Sequence, residues 1–148
     1  MRSILVTVLL AFSLPLSADL ISVTGSTTDR LDDAGNVTLT YVVRNVTTFD
    51  MPHVSANFDL RPGYVFVGAR RADCRQIAAT WQCTLPSIAA GQAVDFDVIL
   101  TPPATRGHFA VEAAVATTGP GFFSTVYATA RIDLYAEHVV TTTADDGP

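Results

Sequence analysis

Residues 60–100 read LRPGYVFVGARRADCRQIAATWQCTLPSIAAGQAVDFDVIL. Three turn signals divide this stretch: Arg61-Pro62-Gly63, Leu85-Pro86 and Ala90-Gly91-Gln92. Proline presets a turn and cannot donate to a ladder, and glycine accepts the backbone angles that turns demand. Between the turns lie short β-rich runs. Tyr64 to Ala69 is one. A second piece runs between Cys74 and Cys83 and carries Trp81, which shares a face with Cys83 if that piece is extended. After Gln92 the alternation is clean: Val94, Phe96, Val98 and Leu100 on one face, Asp95 and Asp97 on the other. That period of two is the mark of a half-buried strand.

The same pattern extends in both directions. Asp19 to Thr24 is a short first strand with no clean face, and Thr27 to Asn36 is a polar turn. Val37, Leu39, Tyr41 and Val43 alternate with Thr38, Thr40, Val42 and Arg44. Asn45 to Pro52 is a loop. Val54, Ala56, Phe58 and Leu60 alternate with Ser55, Asn57 and Asp59. Pro102-Pro103 stops the strand that precedes it. Phe109, Val111, Ala113 and Val115 form the next inward set, and Gly119-Pro120-Gly121 turns the chain. Val126, Ala128, Ala130, Ile132 and Leu134 form the last. No run has helical spacing. Seven or eight strands with turns between them predict an all-β fold, a two-sheet antiparallel immunoglobulin-like β-sandwich. A closed barrel is the alternative. The cysteines are too close in sequence to pin two sheets together as in antibody domains, so they staple one hairpin or loop.

The chain has 148 residues, enough for one domain. Residues 1–18 have the layout of a secretory signal peptide: Arg2, an uncharged apolar run from Ile4 to Leu14, Pro15, then Leu16-Ser17-Ala18. The apolar run is shorter than the roughly 20 residues a membrane-spanning helix needs. The expected domain is then 19–136, with a flexible Thr-rich tail over 137–148, and no membrane span remains after cleavage. Loss of Arg2 leaves eight basic residues against fourteen acidic ones, a net charge of −6. Such a surface repels phosphate backbones and argues against nucleic acid as a partner.

All nine basic residues are arginine. With no lysine there is no Schiff-base chemistry, no lysine general base and no lysine-derived isopeptide crosslink. Cys74 and Cys83 form an even, closely spaced pair, which in an exported chain reads as a disulfide. Closing so short a loop contributes roughly 2.5–3 kcal/mol by chain entropy. Eight residues without a histidine separate the two thiols, which is a poor zinc set. The histidines are His53, His108 and His138, and no Gly-x-Ser-x-Gly or His-Glu-x-x-His motif accompanies them. The pattern names no catalytic residue and no cofactor.

Four groups are candidate ligand contacts. Asp29, Asp32 and Asp33 cluster in one turn, a weak calcium candidate, although aspartate more commonly serves the turn itself. Trp81 offers an aromatic face for a sugar, or packs on the disulfide or the core. Arg70, Arg71 and Arg75 gather near Cys74, where they can take a carboxylate or an anionic glycan, or stand solvated. Asp95 and Asp97, two residues apart on one face, can bind a cation or keep that face wet. Asn36-Val37-Thr38 and Asn45-Val46-Thr47 match the glycosylation sequon.

The order of motifs resembles the bacterial conserved repeat domain (domain of unknown function eleven), an immunoglobulin-like module of secreted and surface proteins. Ala18-Asp19-Leu20 resembles its opening. Gly35-Asn36-Val37-Thr38-Leu39-Thr40-Tyr41 is similar to its second strand, with Asn45 where its asparagine follows. Leu60-Arg61-Pro62-Gly63-Tyr64-Val65-Phe66-Val67 resembles its proline-glycine turn, with Arg61 inserted. Cys74 and Trp81-Gln82-Cys83-Thr84-Leu85 look like its cysteine hairpin, and Ile88-Ala89-Ala90-Gly91-Gln92 like its turn before a strand. The resemblance spans about residues 18–135. It implies a non-enzymatic structural or protein-interaction module, secreted, periplasmic or at the cell surface, with an unknown protein or cell-envelope partner. In a bacterium the sequons would be idle. The alternative expectation is a glycan-binding sandwich using Trp81, Arg70 and Arg71.

Overall fold

The computed structural model describes residues 20–28, 30–104, 107–119 and 122–134. The expected signal peptide (1–18), the tail (137–148), both ends of the expected domain, Asp29 and His138 lie outside the described residues.

Among the described residues the chain forms nine strands and no helix: β1 Ile21–Thr27, β2 Val37–Asn45, β3 Val54–Asp59, β4 Val65–Arg70, β5 Asp73–Ile77, β6 Thr80–Leu85, β7 Ala93–Thr101, β8 Gly107–Gly119 and β9 Phe122–Leu134. All pairings are antiparallel. One sheet has the order β1-β2-β7-β4, the other β5-β6-β3-β8-β9. The expected two-sheet sandwich is what the chain builds.

The strand count exceeds the expected seven or eight because the Cys74 to Cys83 connection is itself a hairpin, β5 and β6. Most of β5 is exposed at the edge of its sheet, so it shows no apolar alternation to read. β1 also runs on to Thr27, because Gly25, Ser26 and Thr27 pair with Tyr41, Thr40 and Leu39. That ladder overrides the weak strand preference of Gly25 and Ser26.

The order β1-β2-β7-β4 is the A-B-E-D arrangement of immunoglobulin constant domains, and β3-β8-β9 is C-F-G. The β5–β6 hairpin is therefore an insertion between the fourth and fifth strands of that scheme. It extends the second sheet beyond β3.

The core lies between the sheets. Leu39, Tyr41 and Val43 from β2 meet Ala56 and Phe58 from β3, Phe96, Val98 and Leu100 from β7, and Ala113 and Val115 from β8; all are fully buried. These are the inward sets that alternation predicted. Tyr41, Phe58 and Phe96 form an aromatic cluster with centroids 5.4, 5.5 and 6.2 Å apart. The buried Tyr41 hydroxyl donates to the Val111 carbonyl at 2.9 Å, on β8 of the opposite sheet, beyond the end of the β3–β8 ladder at Ala113. A phenol in the core needs such a partner, and this one ties the two layers.

Gly63 fixes the turn into β4. Its φ is +95°, and a Cβ there would stand 3.2 Å from Pro103. The conformation strains any other residue, and a side chain would also press on Pro103.

Candidate functional site

Antiparallel registers put four segments at one end of the sandwich: Leu20 before β1, loop 46–53, loop 86–92 and the β8–β9 turn. Asn45 organises them. It is fully buried, and its amide Nδ2 donates to the carbonyls of Phe49 at 2.7 Å and Ile88 at 3.0 Å. Its Oδ1 accepts from the Thr47 amide at 2.9 Å and the Thr47 hydroxyl at 2.6 Å. Its backbone N–H donates to Gln92 at 2.9 Å. One side chain thus satisfies donors and acceptors of two loops at once, as a buried polar group must.

Further bonds fasten the same end. Met51 and Ile88 exchange two backbone bonds of 2.9 Å, with both side chains buried. Asp50 Oδ1 accepts from the Ala90 amide at 3.0 Å. Val46 N–H donates to Leu20, and Thr118 N–H to His53, each at 3.2 Å. Loop 45–52, read from sequence as a plain connection, is in part a core element. The sequon Asn45-Val46-Thr47 is a structural turn whose asparagine is inaccessible in the folded chain. Asn36 is also engaged, accepting from the Thr101 hydroxyl at 2.7 Å.

On this fastened end stand three apolar side chains in solvent: Val46, Phe49 and Phe123, the last 70% exposed. Phe123 lies opposite Thr118 on the outer face of β9, next to the strand end that His53 holds. Sequence reading did not single out these residues. A lone apolar residue in a loop carries no periodic signal, and only the fold shows that the three share one end.

At the other edge lies the disulfide corner. Cys74 and Cys83 are bonded and directly opposed on β5 and β6, with Cα atoms 3.9 Å apart, so the bond staples one hairpin as expected. Trp81 is opposite Phe58 on β3, faces inward and is partly buried. Phe66, from β4 of the other sheet, stacks on it with centroids 3.8 Å apart and planes 14° from parallel. The pair closes the gap between the sheets where β4 crosses to β5. Of the arginines, Arg71 is turned back on its own chain: one Nη2 lies 2.8 Å from Asp95 and 2.9 Å from Asp97. Arg75 donates to Gln82 at 3.4 Å, and Arg70 is exposed. Asp97 is not the wet residue that alternation suggested. It is buried under Arg71 and accepts from the Thr40 hydroxyl at 2.8 Å.

The acidic turn serves itself. Asp32 Oδ1 accepts from the amides of Ala34 at 2.9 Å and Asn36 at 2.8 Å, and the Asp32 carbonyl accepts from Gly35. Asp33 is exposed. No group of three His, Cys, Asp or Glu residues able to hold a metal occurs among the described residues. His53 is exposed in its loop, and His108 lies within β8. No helix among the described residues is long and apolar enough to cross a membrane.

Solved structures resemble this sandwich. No protein-family model and no curated relative matches the chain. The GH20 exo-β-N-acetylglucosaminidase of Vibrio harveyi aligns with a TM-score of 0.55 at 12% identity, over 80% of this chain; the chain spans 19% of that enzyme's length. ACE19, the collagen-binding subdomain of the Enterococcus faecalis surface protein ACE, aligns with a TM-score of 0.53 at 8% identity, over 78% of this chain and 97% of its own. The chitin-binding domain of a Pyrococcus furiosus chitinase gives 0.52 at 14%, over 77% and 98%. At such identities the likeness is one of fold.

Proposed function

We propose that the chain is an exported, non-catalytic binding module that contacts its partner through the loop end of the sandwich. The observation that carries this reading is the set Val46, Phe49 and Phe123, exposed at the end of the sandwich whose loops Asn45, Met51 and Ile88 lock to the core. Apolar side chains grouped on a rigid end mark contact surfaces, and loops on a fixed scaffold are where binding residues collect.

Other features support the reading. A formed disulfide suits an oxidising compartment outside the cytoplasm, periplasmic or at the surface. The motif order resembles the bacterial conserved repeat domain. Domains of the same fold bind collagen in ACE19 and chitin in the Pyrococcus furiosus chitinase. A second reading, glycan binding at Trp81 with Arg70 and Arg71, draws on the partial exposure of the indole. Stacking on Phe66 leaves at most one indole face for a sugar, and Arg71 already holds two carboxylates.

The test is retention of the oxidised chain on collagen, on chitin and on a panel of acidic and neutral glycans. Phe123→Ser and Val46→Ser should each weaken capture by about tenfold, since an exposed apolar anchor is worth 1–2 kcal/mol. Their unfolding midpoints should match the parent. Capture that survives both substitutions would place the contact elsewhere, and capture lost only in Trp81→Ala would favour the glycan reading.

A further inference from the structure

Four strands border the two sheets: β1 and β4 in one, β5 and β9 in the other. β1 and β9 shield each other, their Cα traces approaching within 8 Å. β5 is short, stapled to β6 and carries Asp73 and Arg75 outward. β4 is different. Its six residues, VFVGAR, hold no carboxylate, and among the described residues β7 is its one ladder partner.

The outer side of β4 is apolar and exposed. Val65 is 58% and Val67 52% accessible. Val65 and Val67 flank the inward Phe66 and so share the outer face, and a bulge leaves Val67 without a partner on β7: Phe66 opposes Leu100 and Gly68 opposes Ile99. Arg61 precedes the strand and Arg70 ends it. Neither forms an ion pair among the described residues, whereas Arg71 is held by Asp95 and Asp97. A chain of net charge −5 thus brackets one open, apolar edge with positive charge.

We propose that β4 is a docking edge for an extended, carboxylate-bearing segment of a partner protein, added as a fifth strand to the sheet β1-β2-β7-β4. Main-chain bonds to the free side of β4 would hold the segment, and its alternate apolar side chains would cover Val65 and Val67. A carboxylate at one end meets Arg70 in a charge-assisted bond. Charge selects this occupant over a second copy of the chain. A second β4 holds no carboxylate and ends in Arg70, so it would bring only like charge to this edge, which is unfavourable.

The inference rests on the reading of the chain as an interaction module but uses a surface separate from the loop end. The probe is a soluble, end-blocked ten-residue peptide alternating valine with glutamate and threonine, added to the oxidised full chain and followed by amide shifts and hydrogen exchange. A control peptide carries lysine in place of glutamate. The acidic peptide should slow exchange selectively across 65–70, and the lysine peptide should not. Arg70→Gln should weaken binding about tenfold, and 0.5 M salt should do likewise. Val67→Asp should abolish it; both side chains are exposed, so the fold is kept. Unchanged β4 amides, or equal affinity for Arg70→Gln, would overturn the proposal. So would β4 protection that appears without peptide and grows with protein concentration, which would mark a second copy as the occupant. Phe123→Ser should leave peptide binding intact and Arg70→Gln should leave loop-end capture intact, so failure of one reading is separable from failure of the other.

Discussion

Arg71 covers Asp97. The guanidinium Nη2 stands 2.9 Å from the carboxylate, and the Asp97 side chain keeps 10% of its surface while that of Arg71 keeps 52%. Arg71 reaches this position with a φ of +62°, in the two-residue crossing from β4 to β5. A buried carboxylate is tolerated when it is paired and hydrogen-bonded, and Thr40 supplies the second partner. Arg71→Ala should lower stability by about 1 kcal/mol, because water replaces a half-exposed cation. Asp97→Ala should cost about 2 kcal/mol, since it strands the Thr40 hydroxyl and empties a buried site. Urea unfolding of both variants and the double variant checks the order. A double variant whose loss equals the sum of the two would deny the coupling.

Asn45 holds four side-chain hydrogen bonds in the core of the loop end. Asn45→Ala strands the Thr47 amide and takes one of two donors from each of the Phe49 and Ile88 carbonyls, which keep the Thr47 hydroxyl and the Met51 amide. With a buried orphan costing about 1–3 kcal/mol, a loss of about 2 kcal/mol is expected. Asn45→Asp should be at least as damaging, because a carboxylate would face the carbonyls of Phe49 and Ile88. Hydrogen exchange should quicken at Met51, Ile88 and Gln92 in both variants. Unaltered exchange there would show that the loops hold without this residue.

Reducing the Cys74–Cys83 bond should cost about 2.5–3 kcal/mol while leaving the sandwich folded, because the bond joins two neighbouring, already paired strands at the edge of one sheet and ties no other layer. The chain has a single tryptophan, and Trp81 sits on this hairpin against Phe66. Its emission should shift to the red on reduction, with the far-ultraviolet spectrum preserved. Loss of all β signal on reduction would show instead that the bond is needed for the fold.

Ala78 turns the β5–β6 hairpin with a φ of +55°. A left-handed alanine costs roughly 1–2 kcal/mol, and glycine removes that cost at an entropic penalty of about 0.4–1 kcal/mol. Ala78→Gly should therefore be stabilising by up to about 1 kcal/mol, seen as a higher midpoint in thermal unfolding. A lower midpoint would mean that the turn is not under conformational strain.

Sheet faces were legible because burial on one side writes a period of two into the sequence. Leu39, Tyr41, Phe96 and Val98 were assigned to the core by that rule alone, and the disulfide followed from the isolated cysteine pair. The rule failed where a residue's neighbours come from another part of the chain. Asp97 is on an outward position, yet Arg71 arches over it. Asn45 closes a strand and then serves two loops, the second more than 40 residues later in the chain. Gln76 and Ile77 lie in an edge strand whose exposure erases the alternation.

The candidate surfaces show the same division. Composition, period and turn chemistry determined an antiparallel all-β chain, its inward faces, its turn at Pro62-Gly63 and its cysteine pair, because each of these is a local property of the chain. Only the tertiary structure decided that Val46, Phe49 and Phe123 share one end, that Phe66 caps Trp81, and that β4 is an open edge bracketed by Arg61 and Arg70. Those relations depend on which strands become neighbours, and strand order is set by long-range packing that no window of sequence contains.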